Sequence, residues 1–278
     1  MNAEGIFRNI ERKKSFLCIG LDTDYKKIPK ILLHKDYPVF EFNRRIIDAT
    51  QAYAVAYKPN LAFYEMLGAA GYMSLEMTVN YIRENYPDLF IIADAKRGDI
   101  GNTSNMYAQA FFKTLDFDAI TLSPYMGRDS ILPFLEMDGK WVILLALTSN
   151  EGSRDFQQLQ TNGGKYLYEE VISTSTRWGS VNKIMYVVGA TRAEALAGIR
   201  KLIPEYFLLV PGIGSQGGSL QEVARYGMND RCGLLVNASR SIIYADVSDR
   251  FEDAASREAS RLQQQMEELL QKRNLIST

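Results

Sequence analysis

Residues 94–99 read Asp-Ala-Lys-Arg-Gly-Asp and follow the apolar run Phe90-Ile91-Ile92-Ala93. In an extended strand, side chains alternate between faces. Asp94 and Lys96 therefore project to one side, and Ala93 and Ala95 to the other, small enough to lie under a packed helix. Two opposite charges at the end of an apolar strand are costly to bury unless they pair. Gly98 is expected to turn the chain, with a third charge, Asp99, just past the turn. An ammonium group held beside a carboxylate supplies a fixed field. It can donate a proton to carbon and stabilise negative charge as it develops. The same residues also fit an ion pair that stitches a strand end to its neighbour, and this stretch alone leaves both readings open.

The elements that must carry these charges are legible along the chain. Eight short apolar runs recur, at 16–22, 54–58, 90–96, 119–123, 141–148, 183–188, 206–210 and 233–237. Helical periodicity lies between them. It is seen over 40–52, with Phe42, Ile46, Ile47 and Ala49 on one side, and over 74–84, with Leu75, Val79 and Ile82. Strands alternating with helices imply a parallel sheet, and eight repeats in 278 residues imply a closed (β/α)8 TIM barrel. A single domain over 1–278 is expected, with an extra N-terminal helix at 3–13 and a long C-terminal helix at 249–273. The latter carries an apolar stripe of Phe251, Ala255, Leu262, Met266 and Leu269, read as a cap on the barrel. The polar stretch 149–155 reads as a long loop after the fifth strand.

Active sites in such barrels form at the C-terminal strand ends. Here those ends carry Asp22, Lys58, Asp94 with Lys96, and Ser123. The seventh run leads into Pro211-Gly212-Ile213-Gly214-Ser215-Gln216-Gly217-Gly218, and the eighth into Asn237-Ala238-Ser239-Arg240. Glycines let backbone N–H groups approach an anion, and arginine offers a two-pronged donor to phosphate oxygens. A phosphate site is therefore expected at the last two loops. Lys58, Asp94 and Lys96 then form a row of alternating charge opposite it. One ion pair would suffice for structure, so the row favours chemistry.

The remaining composition narrows the field. Hydrophobic residues make up 46% and charged residues 23%, with a net charge of −1. That is ordinary globular composition, with no basic excess pointing to nucleic acid. No apolar stretch approaches the ~20 residues of a membrane span, and the N-terminus lacks the layout of a signal peptide, so a cytoplasmic location is expected. The two cysteines, Cys18 and Cys232, are too few for a disulfide framework or a cysteine zinc site. His34, the only histidine, lies in a polar context and reads as a surface residue rather than the acid or base.

The whole set resembles the orotidine 5′-phosphate decarboxylase family, most of all its longer bacterial form. The segments carrying the resemblance are Gly-Leu-Asp at 20–22, Tyr-Lys-Pro-Asn at 57–60 and Asp-Ala-Lys-Arg-Gly-Asp-Ile-Gly-Asn-Thr at 94–103, followed by Ser-Pro-Tyr-Met-Gly at 123–127, Pro-Gly-Ile-Gly-Ser-Gln-Gly at 211–217 and Asn-Ala-Ser-Arg-Ser-Ile at 237–242. Shorter members carry Arg where Gly214 stands, and Gly-Arg where Ser239-Arg240 stands. The resemblance implies loss of CO2 from orotidine 5′-monophosphate with no cofactor and no metal. It implies a catalytic tetrad of Lys58, Asp94, Lys96 and Asp99, with Lys96 protonating a carbanion at ring carbon six. Asp99 and Thr103 would reach into the site of a second subunit, giving a homodimer with shared sites. Asp22 would bind ribose hydroxyls, Ser123 the pyrimidine ring, and Gln216 and Arg240 the phosphate. Two rivals stand beside this reading: a Mg2+-dependent sugar-phosphate decarboxylase or aldolase of the same barrel superfamily, and a non-catalytic nucleotide-binding barrel.

Overall fold

The computed structural model describes residues 1–213 and 217–277. Eight strands close into one barrel in sequence order: β1 (Leu17–Leu21), β2 (Ala54–Pro59), β3 (Phe90–Arg97), β4 (Ala119–Leu122), β5 (Trp141–Leu147), β6 (Ile184–Val188), β7 (Leu208–Pro211) and β8 (Leu234–Ala238). Every neighbouring pair is parallel, including β8 with β1. All bounds lie within two residues of the apolar runs. The agreement has a simple cause. A strand buried on both faces must be apolar nearly throughout, so its sequence is a continuous run rather than an alternation.

The helices are α1 (Ala3–Lys13), α2 (Pro38–Thr50), α3 (Leu61–Glu65), α4 (Gly68–Asn85), α5 (Gly101–Gln109), α6 (Arg128–Leu135), α7 (Leu167–Ser175), α8 (Ala193–Leu202), α9 (Leu220–Gly227), α10 (Arg240–Ile243) and α11 (Phe251–Lys272). Among the described residues no helix is long and apolar enough to cross a membrane.

Helix α1 starts where Asn2 caps it, its side chain accepting from Gly5 N, and stops at Lys14, whose φ of 50° ends the turn. It closes the N-terminal mouth of the barrel. Trp141 Nε1 donates to Met1 O at 2.7 Å, Asn9 Nδ2 to Asp88 O at 2.6 Å, and Ala3 N to Asn182 Oδ1 at 3.0 Å. These partners sit at or just before the starts of β5, β3 and β6, so the lower mouth is sealed and the upper one is left for function.

Helix α11 does not form the cap on the barrel that its apolar stripe was read as. It joins the outer ring against α2 and β1. Phe251 stacks on Phe42 at 5.3 Å, and Phe42 in turn on Tyr244 at 5.8 Å. Its buried stripe is Phe251, Ala254, Ala255, Ala259, Leu262, Met266 and Leu270. Leu269 lies one position off that line and is only half-buried. The long connection expected after β5 is present: the chain carries a short 3-10 turn, Glu151–Arg154, and regains a regular helix only at α7.

Candidate active site

Lys58 and Asp94 face each other across the tops of β2 and β3. Lys58 Nζ donates to Asp94 Oδ2 at 2.8 Å, and Lys96 Nζ donates to Asp94 Oδ1 at 2.6 Å. The expected Lys-Asp-Lys row is therefore real, with the carboxylate at its centre. Solvent reaches its members unequally: Lys58 has 5% of its side chain exposed, Asp94 11% and Lys96 50%. The row runs from a buried anchor to an ammonium open to the mouth.

The electrostatics follow from this geometry. Burial alone pushes the Asp94 carboxyl up, but the charges of Lys58 and Lys96 and their hydrogen bonds outweigh it and hold Asp94 well below the carboxylate range. Burial likewise works against the Lys58 ammonium, yet the Asp94 charge, with Asp22 behind it, leaves its pKa raised. A depressed folded-state value means the ionised carboxylate stabilises the fold above its unfolded pKa of about 3.9, and this contribution is lost as pH falls towards the folded value. Asp94→Asn should thus be less stable than wild type by a constant margin from about pH 7 to pH 5, and the margin should shrink below about pH 4. Urea denaturation across that range checks the sign.

A fourth polar group, absent from the sequence reading, completes the row. Thr121 Oγ1 in β4 donates to Asp94 Oδ1 at 3.1 Å and accepts from Lys96 N at 2.9 Å. The turn after β3 also differs from expectation. The left-handed residues are Lys96, at φ 48°, and Gly101, at φ 54°, not Gly98. The β3–β4 register breaks between Ala93 and Arg97, so Lys96 sits in an irregularity rather than in a regular ladder.

Asp22 is held ready at the end of β1. Tyr64 donates to Leu21 O at 3.0 Å, Thr23 to Asn43 Oδ1 at 2.6 Å, and Tyr244 to Asp22 O at 3.2 Å. The chain on both sides of Asp22 is thereby fixed by α2 and α3 and by the turn after α10, while its Oδ1 is buried with no hydrogen-bond partner among the described residues. A buried acceptor left unpaired in this way calls for a hydrogen-bond donor, such as a hydroxyl. Nothing in the sequence announced Asn43, Tyr64 or Tyr244 as its braces.

The loop after β8 touches β1 directly. A Cβ on Gly20 would lie 2.7 Å from Ser239 Cβ, and Ser239 Oγ donates to Gly20 O at 3.0 Å. Ser239 thus anchors the loop instead of contacting an anion. Arg240 begins the one-turn helix α10, is exposed, and makes no ion pair among the described residues. Gly212 and Gly217 have φ of 103° and 83°, as the Gly-rich loop requires. Gln216 lies outside the described residues.

Ser123 directly follows β4, beside a cavity of about 470 Å3 lined also by Tyr125, Leu145, Phe156 and Tyr168. Asp99 and Thr103 are not brought to the row within one chain. Among the described residues Asp99 Oδ1 accepts only from Ile100 N, at 2.8 Å, and Thr103 is exposed on the first turn of α5. Cys18 is a buried thiol, pushed up to about 12 by burial, and His34 is exposed. Among the described residues no three His, Cys, Asp or Glu side chains gather as a metal site.

A closed parallel barrel with a charge row at its C-terminal mouth, and a carboxylate with an unpaired oxygen beside it, defines a (β/α)8-barrel enzyme. Its residues 15–254 match the model of the orotidine 5′-phosphate decarboxylase / HUMPS family, and the chain belongs to that family. It is 60% identical over 270 residues to the orotidine 5′-phosphate decarboxylase of Phocaeicola vulgatus, covering 97% of this chain and 99% of that one. Among solved structures it resembles the OMP decarboxylase of Leishmania donovani, with 37% identity, a TM-score of 0.79, and coverage of 95% of this chain and 99% of that one. It also matches the UMP synthase of the same organism, with 37% identity, a TM-score of 0.85 and 96% of this chain covered, but it spans only 56% of that longer chain.

Proposed function

We propose that this chain catalyses loss of CO2 from orotidine 5′-monophosphate to give uridine 5′-monophosphate, as a carboxy-lyase of pyrimidine biosynthesis in the cytoplasm. The observation that carries the reading is the doubly paired Asp94, which holds one buried and one accessible ammonium group in a fixed order. Breaking the ring–carboxylate bond leaves an electron pair at ring carbon six. The Lys96 ammonium stabilises that pair and then gives it a proton, so the step needs no electron sink beyond the fixed field. Asp94 keeps both lysines charged and aimed, and Lys58 anchors the carboxylate from below.

The other groups bind and align. Asp22 takes ribose hydroxyls, its unpaired Oδ1 marking a carboxylate still short of a donor. Ser123 meets the pyrimidine ring, and Arg240 with Gln216 holds the phosphate. Phosphate binding is remote from the reacting carbon, so its energy is available to order the site for the transition state.

The active form is a homodimer, with Asp99 and Thr103 reaching the neighbouring site. Support comes from the surface around them. Ile100 and Met106 are exposed on the same arm, and Met66, Tyr72 and Met73 are exposed on α4 and the turn before it. Glu65 and Tyr107 both contact Arg97, so these two groups of apolar side chains adjoin. A contiguous apolar surface of this kind suits a self-complementary interface.

A Mg2+-dependent reaction would call on carboxylate oxygens to hold the ion. Both oxygens of Asp94 are already occupied by ammonium groups. Absorbance change on orotidine 5′-monophosphate, followed in excess chelator, tests the assignment. Full turnover in chelator is expected. No turnover of orotidine 5′-monophosphate in chelator or with Mg2+ added back would overturn the assignment, and Mg2+-dependent turnover of a sugar phosphate would then separate the sugar-phosphate branch from a binding barrel.

A further inference from the structure

We propose that the Thr121 hydroxyl is a positioning group for this reaction, setting the place of the Lys96 ammonium through the backbone that carries it. The inference rests on the assignment of Lys96 as proton donor.

Thr121 is 1% exposed and points from β4 towards the row. A hydroxyl has one proton to give and two lone pairs to receive with. Here both capacities are used on the same neighbouring segment. Thr121 Oγ1 accepts from the Lys96 backbone N–H at 2.9 Å and donates to Asp94 Oδ1 at 3.1 Å. The same Oδ1 accepts from Lys96 Nζ at 2.6 Å. The contacts close a ring that runs from the Lys96 backbone through the hydroxyl and the carboxylate to the Lys96 ammonium. Backbone and side-chain tip of one lysine are thus tied to a single acceptor system.

The need for such a tie is local. Lys96 has φ 48°, a left-handed conformation that is unfavourable for a residue with a Cβ. The β3–β4 ladder is irregular between Ala93 and Arg97, so the Lys96 N–H bonds to a side chain in place of a strand carbonyl. Strain of this kind persists only where its surroundings over-determine it. Without the hydroxyl, the N–H loses its partner, the turn is freer to relax, and the half-exposed ammonium is no longer set at one distance from the reacting carbon. Lys58 makes no direct contact with the hydroxyl; it bonds the other oxygen of the same carboxylate.

Thr121→Val keeps the shape and removes both hydrogen bonds, whereas Thr121→Ser keeps the hydroxyl. With orotidine 5′-monophosphate as substrate, Thr121→Val should lose about 10- to 100-fold in kcat, the range for a lost hydrogen bond to an ionised group. Its KM should change much less, because Thr121 has no part in binding ribose or phosphate. Thr121→Ser should recover most of the loss. Thermal unfolding confirms that each variant is folded. If Thr121→Val does not fold, Thr121→Ala set against Thr121→Ser gives the same contrast. Wild-type kcat in the valine variant, or a serine variant as impaired as the valine one, would overturn the proposal. Lys96→Ala, assayed in parallel, separates the two layers. If it keeps normal turnover, the proton-donor assignment fails. If it is inactive while Thr121→Val is normal, only the positioning role fails.

Discussion

Lys96→Ala is expected to lower turnover of orotidine 5′-monophosphate by about 10^4-fold or more, with the fold intact. Two effects combine in that figure. Removing one preorganised charge from a developing anion typically costs about 10^2- to 10^3-fold, and removing the proton donor about 10^2- to 10^4-fold. The fold should survive because half of the Lys96 side chain is already exposed and no core packing depends on it. Asp94 also keeps Lys58 and Thr121 as partners. Absorbance assays beside thermal unfolding separate the chemical loss from a structural one. Lys58→Ala would be a poorer probe. Its side chain is 5% exposed, and its removal leaves a buried carboxylate short of its principal counterion.

The second large effect concerns Asp99. Asp99→Ala should lose about 10^2- to 10^3-fold in turnover as a homodimer, the scale for one preorganised group at the reacting centre. The more telling result is complementation. In a twofold dimer with shared sites, a subunit carrying Lys96→Ala paired with one carrying Asp99→Ala contains one doubly defective site and one wild-type site. A random mixture of the two inactive variants, exchanged by mild denaturation and refolding, should recover about a quarter of wild-type activity. Failure to recover activity, with mixed dimers demonstrably present, would place Asp99 in its own chain's site or outside the reaction.

The barrel and the charge row were legible because both depend on short-range rules. A strand buried on both faces is written as an apolar run, and alternation was enough to expect Asp94 and Lys96 on one side, although the structure sets Lys96 at φ 48° in a break of the ladder. The row's fine structure depends instead on groups that meet only in the folded barrel. Thr121 is an ordinary strand residue. Only the β3–β4 pairing and its irregularity bring it to Lys96. Glycine was the natural choice for the turn, yet the strained position is the lysine two residues earlier, because tertiary hydrogen bonds there outweigh backbone preference. The braces of Asp22 come from Asn43, Tyr64 and Tyr244, far apart in sequence. Helix α11 was misplaced for a related reason. An amphipathic stripe tells that a face is buried but not against what, and Phe42 and β1 supply the answer only in three dimensions. Asp99 and Thr103 remain apart from the row in one chain, which is where the family resemblance and a monomer's geometry are expected to part.

The most direct measurement is a crystal structure of the dimer with uridine 5′-monophosphate bound. The account places ring carbon six about 3–3.5 Å from Lys96 Nζ, within reach of the proton it must receive. It also places the ribose hydroxyls on Asp22 and the phosphate at Arg240. A pyrimidine ring seated elsewhere, for example between Tyr125 and Phe156 with carbon six out of reach of both ammonium groups, would contradict it.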